Sequence, residues 1–314
     1  MAKKSSKKVN RRARRIVLLA LLTLLVLFGA VIGVAALNAN TLHVRRAEVA
    51  VEHLPAGFEG KTVLYLSDID LCGLNTARKA AGAVNRLQAL RPDLLVLGGD
   101  YNSISLLEQL NRTDRGIVNQ QRLEERRDFF LCIKDFVAPL GKYAIASPED
   151  QDLPALAASM RESGFTVLTD AIARVESGGD ALLLAGLTSG LGAINAQADR
   201  IDRNDCLVAV CSTPALFPAL MTLEAPGGGH IADLALAGRT HGGQLRLFGR
   251  NALALTMQEQ QYLYGWTRES GVPMLTTSGL GCEGVNLRLG TQAEAWLITL
   301  RGQTDGEIPA VIGN

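Results

Sequence analysis

Residues 62–70 read TVLYLSDID and residues 93–100 read DLLVLGGD. Each stretch contains a short apolar run, which predicts a buried β-strand, and aspartate follows each run. Between them, residues 76–90 have Ala, Val and Leu at helical spacing. A strand, a helix and a second strand predict two neighbouring parallel strands. The aspartates that follow these strands are therefore expected at the same edge of a sheet.

The pattern changes in the second half of the chain. Before residue 170, predicted helices at 103–138 and 153–163 alternate with predicted strands at 142–146 and 166–168. After it, strands predominate and few helices are predicted. These later strands are predicted at residues 181–187, 206–210, 234–237, 274–277 and 295–300. We therefore predict an α/β domain over residues 61–303, in which two β-sheets pack together and are flanked by helices.

The N-terminal region is basic and then apolar. Residues 1–15 carry eight cations and no acid, and residues 16–37 form an uncharged run of 22 residues. Such a helix is roughly 33 Å long, enough to cross a bilayer. We predict a single-pass, uncleaved transmembrane helix in the cell membrane, with the N-terminus cytoplasmic and the main domain extracytoplasmic. A cleaved signal peptide is the alternative. Residues 38–60 are predicted to be a connector and residues 304–314 a C-terminal tail.

The charge balance argues against nucleic acid as a partner. Eight of the 32 Lys and Arg residues lie in the basic N-terminal segment, which leaves 24 cations to face 31 acids. Proteins that bind phosphate backbones do so with clustered Lys and Arg. The five cysteines include no CxxC pair, so neither a disulfide framework nor a zinc knuckle is predicted.

Three aspartates follow the first two predicted strands, namely Asp68, Asp70 and Asp100. If they converge at one sheet edge, their carboxylates repel one another and require a cation. A divalent metal with oxygen and nitrogen ligands would meet that need. The alternative is that each aspartate only caps a helix or forms a turn.

The chain also resembles the calcineurin-like metallophosphoesterase family. Residues 67–73 (SDIDLCG) resemble its first metal motif, which normally reads Asp-x-His, and residues 97–101 (LGGDY) resemble its Gly-Asp motif. The most specific match is at residues 236–244 (LAGRTHGGQ), which resemble Gly-His-x-His-Gly-Gly-Gln. The other matches, in chain order, are residues 141–149 (GKYAIASPE), 205–214 (DCLVAVCSTP), and 277–281 (TSGLG) followed by Arg288. The last of these resembles the closing segment of the bacterial membrane-anchored branch.

The resemblance implies a four-layer αββα sandwich and a phosphoester or pyrophosphate hydrolase. In this family, two metals generate a hydroxide and neutralise the phosphoryl oxygens. The first metal would be held by Asp68, Asp100 and His241, with Asp70 in place of the usual histidine. Aspartate is an oxygen ligand that suits Mn²⁺, Mg²⁺ or Ca²⁺, so one divalent metal is expected.

The resemblance also implies that the second metal site is degenerate. The positions of its Asn and two His ligands carry Ser147, Ser212 and Arg239. Pro148 stands where the family has its catalytic histidine, and Glu149 where it has the aspartate partner of that histidine. Because proline cannot transfer a proton, no catalytic residue is assigned, and no second metal is expected.

Arg239 decides how the second site is interpreted. A guanidinium stays charged and cannot ligate a metal. Arg239 could pair with Asp100 or Asp70 and supply the charge of the missing metal, or bind a phosphate with two hydrogen bonds. The alternative is that its side chain points outward to solvent.

The sequence is compatible with three alternative functions. The first is a membrane-anchored, degenerate family member that binds one divalent metal or a phosphate-containing small molecule or lipid-linked ligand. The second is an active hydrolase that uses one metal or altered ligands. The third is a scaffold that has kept the fold but no ligand.

Overall fold

The computed structural model describes residues 2–105, 115–150, 152–197, 201–202, 204–247, 250–251 and 255–303. A long helix, α1 (Ala2–Asn40), begins the chain and leads directly into the first strand. The other helices are α2 (Ala77–Arg86), α3 (Arg115–Cys132), α4 (Leu153–Glu162), α5 (Gly192–Asn195), α6 (Phe217–Leu220) and α7 (Met257–Gln261).

Fourteen strands are present in the described parts of the chain. The first seven are β1 (Leu42–Val51), β2 (Thr62–Leu66), β3 (Leu94–Leu97), β4 (Lys142–Ala144), β5 (Thr166–Val167), β6 (Ala171–Ser177) and β7 (Asp180–Leu187). The second seven are β8 (Leu207–Cys211), β9 (Leu234–Ala237), β10 (Arg246–Leu247), β11 (Arg250–Asn251), β12 (Gly265–Glu269), β13 (Val272–Thr276) and β14 (Ala293–Gly302).

These strands form two six-stranded mixed sheets and a small hairpin. The first sheet has the order β1-β14-β2-β3-β4-β5, and the second β12-β13-β9-β8-β7-β6. Strands β2 to β5 are parallel to one another, as are β7, β8, β9 and β13. The carboxyl ends of each parallel set therefore lie together at one edge of the sheet, where open α/β sheets place their ligands.

Apolar side chains fill three layers and confirm the predicted sandwich flanked by helices. Along β2, Val63 and Tyr65 point toward the second sheet, whereas Leu64 and Leu66 pack under α2, α3 and α4. A third cluster covers the outer face of the second sheet with α5, α6 and Tyr262, the residue that follows α7. Because both faces of the central strands are buried, their sequences are continuous apolar runs rather than alternating patterns.

The predicted connector at residues 38–60 is corrected by the structure. Ten of its residues form β1, which pairs in parallel with β14 along its whole length. Ala47, Val49 and Val51 are buried between the sheets, whereas the residues that alternate with them are exposed or half-buried. This period-two pattern is typical of a strand with one buried face. The globular domain therefore begins before residue 61.

Within the described residues, one helix is long and apolar enough to cross a membrane. Its apolar segment, Ala13–Asn40, has 28 residues and contains an 18-residue window with a mean hydropathy of 3.0, and its large apolar side chains are exposed. The C-terminal end of this helix is fixed to the domain. Ala35 and Ala39 are buried, and the Ala35 carbonyl accepts a hydrogen bond from the Arg288 backbone N–H at 2.9 Å.

Candidate functional site

Four loops meet where the central strands end, and backbone hydrogen bonds fix their relative positions. The loop after β2 is bound to the loop after β3, since Asp68 N–H donates to Gly99 O at 2.8 Å and Asp70 N–H to Asp100 O at 3.0 Å. The loop after β13 closes over both, because Gly281 N–H donates to the Asp68 carbonyl. The loop after β9 approaches from the second sheet, where the Arg239 backbone N–H donates to Asp68 Oδ1 at 2.8 Å.

The residues that the motifs single out share an unusual backbone conformation. Asp68, Asp70, Asp100, Arg239 and His241 all have positive φ, between 48° and 78°. This left-handed conformation is sterically unfavourable for residues with a side chain, and strain of this kind is typical of ligand-binding and catalytic sites. The fold therefore holds these five residues in place at a cost in free energy.

Three carboxyl groups are buried together at this point. Asp68, Asp70 and Asp100 are 1%, 3% and 5% exposed. One oxygen of each, namely Asp68 Oδ2, Asp70 Oδ2 and Asp100 Oδ1, has no hydrogen-bond partner among the described residues. Burial raises the pKa of Asp68 to about 6 and, together with the charge of Asp68, raises that of Asp100 to about 8. Burial, together with the charges of Asp68 and Asp100, also raises the pKa of Asp70 well above its usual value.

His241 completes this group as a neutral imidazole. Its Nε2 lies 3.5 Å from Asp70 Oδ2, and its Nδ1 is buried with no hydrogen-bond partner among the described residues. Burial lowers the pKa of His241 far below its ordinary value, and the nearby cations Arg288 and Arg239 lower it further. An uncharged imidazole keeps a lone pair that is available to a metal.

The donor types fit a divalent cation, but their spacing does not form a complete site. Unpaired buried carboxylate oxygens and a neutral imidazole are the ligands that Mn²⁺ or Mg²⁺ takes in proteins. In the described ranges, however, no group of three or more His, Cys, Asp or Glu side chains is spaced to hold one ion. One oxygen of Asp68 is already occupied, because it accepts hydrogen bonds from Arg239 N–H and Ser67 Oγ. A bound ion would therefore require side chains to reorient.

Arg239 points into the site and is surrounded by acids. Its Nη1 lies 3.6 Å from Asp100 Oδ2, its Nη2 3.3 Å from Glu149 Oε1 and its Nε 3.6 Å from Glu259 Oε1. The side chain is 33% exposed, so the alternative that it points outward to solvent is wrong. Burial lowers the pKa of Arg239, but the three carboxylates outweigh this effect and the net shift is upward. Its charge is thus shared among three acids.

The other positions of the degenerate site have local structural roles. Ser212 Oγ donates to the Thr188 carbonyl at 2.7 Å, and Ser147 Oγ accepts the Glu149 N–H at 3.2 Å. Pro148 is exposed beside them. The predicted site residues therefore form two groups: Asp68, Asp70, Asp100 and His241 on one side, and Arg239 with Glu149 on the other.

Glu259, an acid near the site, was not predicted from the sequence, whereas Asp150 was considered as a substitute oxygen ligand. Glu259 lies at the third position of α7, where it forms a capping box with Thr256 and also accepts a hydrogen bond from Thr213. The pattern Thr-x-x-Glu indicates such a cap, but not that the glutamate also reaches Arg239. Asp150 accepts the backbone N–H groups of Tyr101 and Ser147, which joins the loops after β3 and β4.

A cavity of about 370 Å³ opens from this group of residues. Asp70, Asp100, Arg239 and His241 line one part of it, and side chains of α3 line another. The charged helical region predicted at residues 103–138 thus contributes directly to the candidate site. A space of this size is in the range that accommodates small organic ligands.

The pKa shifts predict how stability depends on pH without metal. In the unfolded chain these carboxyls ionise near 3.8, whereas in the folded protein the pKa is about 6 for Asp68 and about 8 for Asp100. The folded protein therefore holds protons that the unfolded chain releases. The stability that is fully present below about pH 4 is lost as the pH rises to about 8.

Chemical unfolding of the full chain in detergent and a chelator, followed over this pH range, measures the effect. The variant Asp100→Asn is the control, because it removes one of the titrating groups and should show a flatter profile than wild type. Mn²⁺ should also flatten the wild-type profile, since a bound cation stabilises ionised carboxylates. Wild-type and Asp100→Asn profiles that run parallel would contradict the prediction.

Comparisons with known proteins find a similar metallophosphoesterase and solved structures that match over most of the chain. No protein-family model matches the chain. It is 23% identical over 253 residues to the uncharacterized metallophosphoesterase YkuE of Bacillus subtilis, which covers 79% of this chain and 82% of YkuE. The two-sheet fold defines an α/β protein with an acidic rim where the central strands end. The resemblance seen in the motifs is thus matched by a similarity in sequence to a metallophosphoesterase.

Two solved structures also match over most of the chain. The phosphopantetheinyl hydrolase PptH from Mycobacterium tuberculosis has a TM-score of 0.39 and 13% identity, covering 72% of this chain and 92% of PptH. The nuclease MPE from Pseudomonas putida has a TM-score of 0.30 and 14% identity, covering 79% of this chain and 82% of that enzyme.

Proposed function

We propose that this chain is a membrane-anchored, degenerate metallophosphoesterase that binds a phosphate-bearing ligand together with at most one divalent cation. The observation that carries the proposal is the position of Arg239. Its guanidinium lies within 3.6 Å of Asp100, Glu149 and Glu259, so a positive charge already neutralises acids on this side of the site. A second cation placed there would be repelled by this charge.

Asp68, Asp70, Asp100 and His241 would hold the single metal, with Mn²⁺, Mg²⁺ or Ca²⁺ as the candidates. Their buried, unpaired oxygens support this assignment, because an ionised carboxylate that lacks a partner in the interior is costly. A bound divalent cation would supply positive charge to phosphoryl oxygens at this position. Arg239 would bind a phosphate through its planar guanidinium, which suits two parallel hydrogen bonds.

A binding function is favoured over turnover because no proton donor is present at the expected place. The position of the family's catalytic histidine is Pro148, and the next residue, Glu149, is paired with Arg239. Neither residue is placed to protonate a leaving oxygen. Among the described residues lining the cavity, His241 is the only histidine, and it is assigned to the metal.

The apolar helix supports a location in the membrane. The segment Ala13–Asn40 is long enough to span a bilayer, and the basic residues before it are expected on the cytoplasmic side. With that orientation the globular domain would lie on the extracytoplasmic face, and a lipid-linked ligand would be accessible to it. The acidic balance of the domain gives no support for nucleic acid as a partner.

Elemental analysis of the full chain, purified in detergent after exposure to excess Mn²⁺, tests the proposal. We expect no more than one equivalent of metal, and loss of it in Asp100→Asn and His241→Ala. His230→Ala is a matched control, since His230 precedes β9 whereas His241 follows it, and it should retain the metal. Two tightly bound equivalents in wild type would refute the role given to Arg239.

An active hydrolase with one metal is the second candidate. The observation in its favour is the same set of unpaired carboxylate oxygens beside a neutral imidazole, which would suit one catalytic ion. This candidate predicts Mn²⁺-dependent hydrolysis of an aryl phosphate or phosphodiester that is lost in Asp100→Asn and His241→Ala. Our proposal predicts no hydrolysis, but thermal stabilisation by phosphate or by Mn²⁺. If neither phosphate nor Mn²⁺ stabilises the protein, the third alternative is supported, in which the chain keeps the fold but binds no ligand at this site.

A further inference from the structure

Helix α1 projects from the globular domain and packs against it near its C-terminal end. The large apolar side chains from Ile16 to Val34 are exposed, and Ala35 is the first buried residue after them. The 20 residues from Ile16 to Ala35 span about 30 Å, which is the thickness of the hydrocarbon core of a bilayer. The contact with the domain therefore begins where the bilayer core would end, so no flexible spacer lies between the two.

This helix leaves the domain at the edge where the central strands end, which we call the site edge. It continues directly into β1, which is parallel to β14, and β14 is antiparallel to β2. The start of β1 therefore lies at the same edge as the end of β2, which Asp68 and Asp70 follow. The end of α1 is also bonded to segments at this edge, because Asn40 Oδ1 accepts hydrogen bonds from Lys79 Nζ and Asn286 Nδ2.

Exposed apolar side chains are concentrated at the site edge. Outside α1, seven large apolar side chains are exposed in the parts of the chain that the structure describes. Six of them lie at the site edge, namely Val44, Leu74, Ile104, Leu153, Met257 and Tyr264. The seventh, Val137, lies at the opposite edge, where its N–H donates to Gln88 in the segment before β3. Single exposed apolar residues need no explanation, but their concentration at one edge is typical of a surface that contacts a membrane or a partner.

Leu74 is the best placed of these side chains for a contact with lipid. It is 75% exposed and lies in a tight turn, across which Cys72 and Asn75 exchange backbone hydrogen bonds. Its carbonyl accepts a hydrogen bond from Lys79 Nζ, the same ammonium group that donates to Asn40. The turn is thus held beside the end of α1, at the depth where that helix would emerge from the bilayer.

We propose that the site edge rests on the lipid bilayer, with the Leu74 side chain inserted among the headgroups and the cavity opening at the membrane surface. Ile104 lines this cavity, and the Ser103 hydroxyl beside it accepts the N–H of Gly284 from the loop after β13. That loop also carries Asn286, so the wall of the cavity is linked to the end of α1. The inference rests on the membrane anchoring in the proposed function, but not on the side of the membrane on which the domain lies.

The charges on this surface favour a contact that does not depend on the charge of the lipid. Arg78 and Lys79 are exposed at the start of α2, but Glu125 and Asp128 of α3 line the same hollow as Arg78. Glu283 is also exposed, in the loop after β13. Apolar side chains at headgroup depth contribute to binding whatever the headgroup charge, so a neutral phosphatidylcholine bilayer is a sufficient probe.

Quenching of tryptophan fluorescence by phosphatidylcholine, brominated on its acyl chains near the headgroup, tests the inference. The full chain is placed in nanodiscs that hold one copy each, and wild type gives the background from Trp266 and Trp296, which pack against each other. Leu74→Trp should lose about half of its added emission in brominated lipid, because an indole at headgroup depth lies close to the quencher. Val137→Trp is the matched control, since Val137 is 62% exposed at the opposite edge, and it should keep its emission.

A tryptophan in α1 separates this inference from the membrane anchoring on which it rests. Val31→Trp reports insertion of the helix itself, close to the end that meets the domain. If Val31→Trp is quenched but Leu74→Trp is not, the contact of the site edge with lipid is refuted and the anchoring stands. If neither is quenched, both are overturned.

Two other outcomes also refute the contact with lipid. Equal quenching of Leu74→Trp and Val137→Trp would show that neither edge of the domain is preferred. A blue shift of Leu74→Trp emission that occurs only in discs with several copies would assign the apolar surface to a second copy of the chain. Leu74 and Val137 are both exposed, so neither substitution disturbs the core.

Discussion

Replacement of Arg239 by methionine destabilises the metal-free protein by about 3 kcal/mol, and Mn²⁺ restores most of this loss. Methionine keeps much of the apolar length of arginine but removes the charge that Asp100 and Glu259 share. Both acids are almost fully buried, and removal of one partner from a buried ion pair costs about 3–5 kcal/mol. We expect a destabilisation at the lower end of this range, because the Arg239 side chain is one-third exposed and Glu149 is exposed to solvent.

Urea unfolding of the full chain in detergent, with a chelator or with Mn²⁺, measures both parts of this prediction. Arg174→Met is the control, since Arg174 forms an exposed ion pair with Glu176 at 3.7 Å and should change stability by less than about 1 kcal/mol. Mn²⁺ should stabilise Arg239→Met more than wild type, because a cation would then occupy the place of the guanidinium. Equal stabilisation of the two proteins by Mn²⁺ would show that Arg239 does not substitute for a metal.

Much of the fold can be predicted from the sequence because its central strands are buried on both faces. Continuous apolar runs such as those of β2 and β3 have few alternatives, and the aspartates that follow them mark their carboxyl ends. Strands β6 and β12 were not predicted. They lie at the two edges of the second sheet, and most of their residues are only half-buried. A half-exposed strand has no continuous apolar run to indicate it.

The pairing of β14 could not be predicted from local sequence. Its residues 295–300 were predicted to be a strand of the strand-rich second half. In the structure β14 lies in the first sheet, between β1 and β2. Its partners precede it by more than two hundred residues. No periodicity encodes such a pairing, which depends on the packing of the whole domain.

The candidate site was predictable to the extent that it consists of strand ends. Asp68, Asp70 and Asp100 follow strands, and His241 lies in a specific motif. The structure brings these residues to one edge of the sheets, and their role as metal ligands stays a prediction. The partners of Arg239 were harder to predict. Glu259 reaches it from a helix cap, and the arginines of α3 that line the cavity occur in a charged stretch that resembles an ordinary solvated face. Only the tertiary arrangement distinguishes an arginine in the cavity from one in solvent.

A second large effect is expected at Arg288, which supports the site from behind. Its side chain is fully buried, and its guanidinium donates hydrogen bonds to the carbonyls of Ser278, Gly279, Gly281 and Gln292. The loop that it holds lies directly on the aspartates. A Cβ on Gly279 would come within 2.6 Å of the Asp68 side chain, which shows how closely the two segments approach.

Replacement of Arg288 by methionine should therefore lower the free energy of unfolding by about 3–5 kcal/mol. Four backbone carbonyls lose a charged donor, and each buried group left without a partner costs about 1–3 kcal/mol before the loop relaxes. Relaxation moves the loop away from Asp68 and Asp70, so Mn²⁺ binding should weaken as well. Chemical unfolding measures the first effect and metal titration the second.

Two further variants separate the role of the guanidinium from that of charge. Arg301→Met removes an arginine that forms exposed ion pairs with Glu48 and Glu59, and should leave stability close to that of wild type. Arg288→Lys keeps a cation near Asp68 and Asp70 but has too few donors for all four carbonyls, so it should be intermediate in stability. The backbone N–H of residue 288 still donates to Ala35 in every variant, so α1 stays docked. If Arg288→Lys were as stable as wild type, charge alone would account for this residue, and the four hydrogen bonds would not hold the loop against the aspartates.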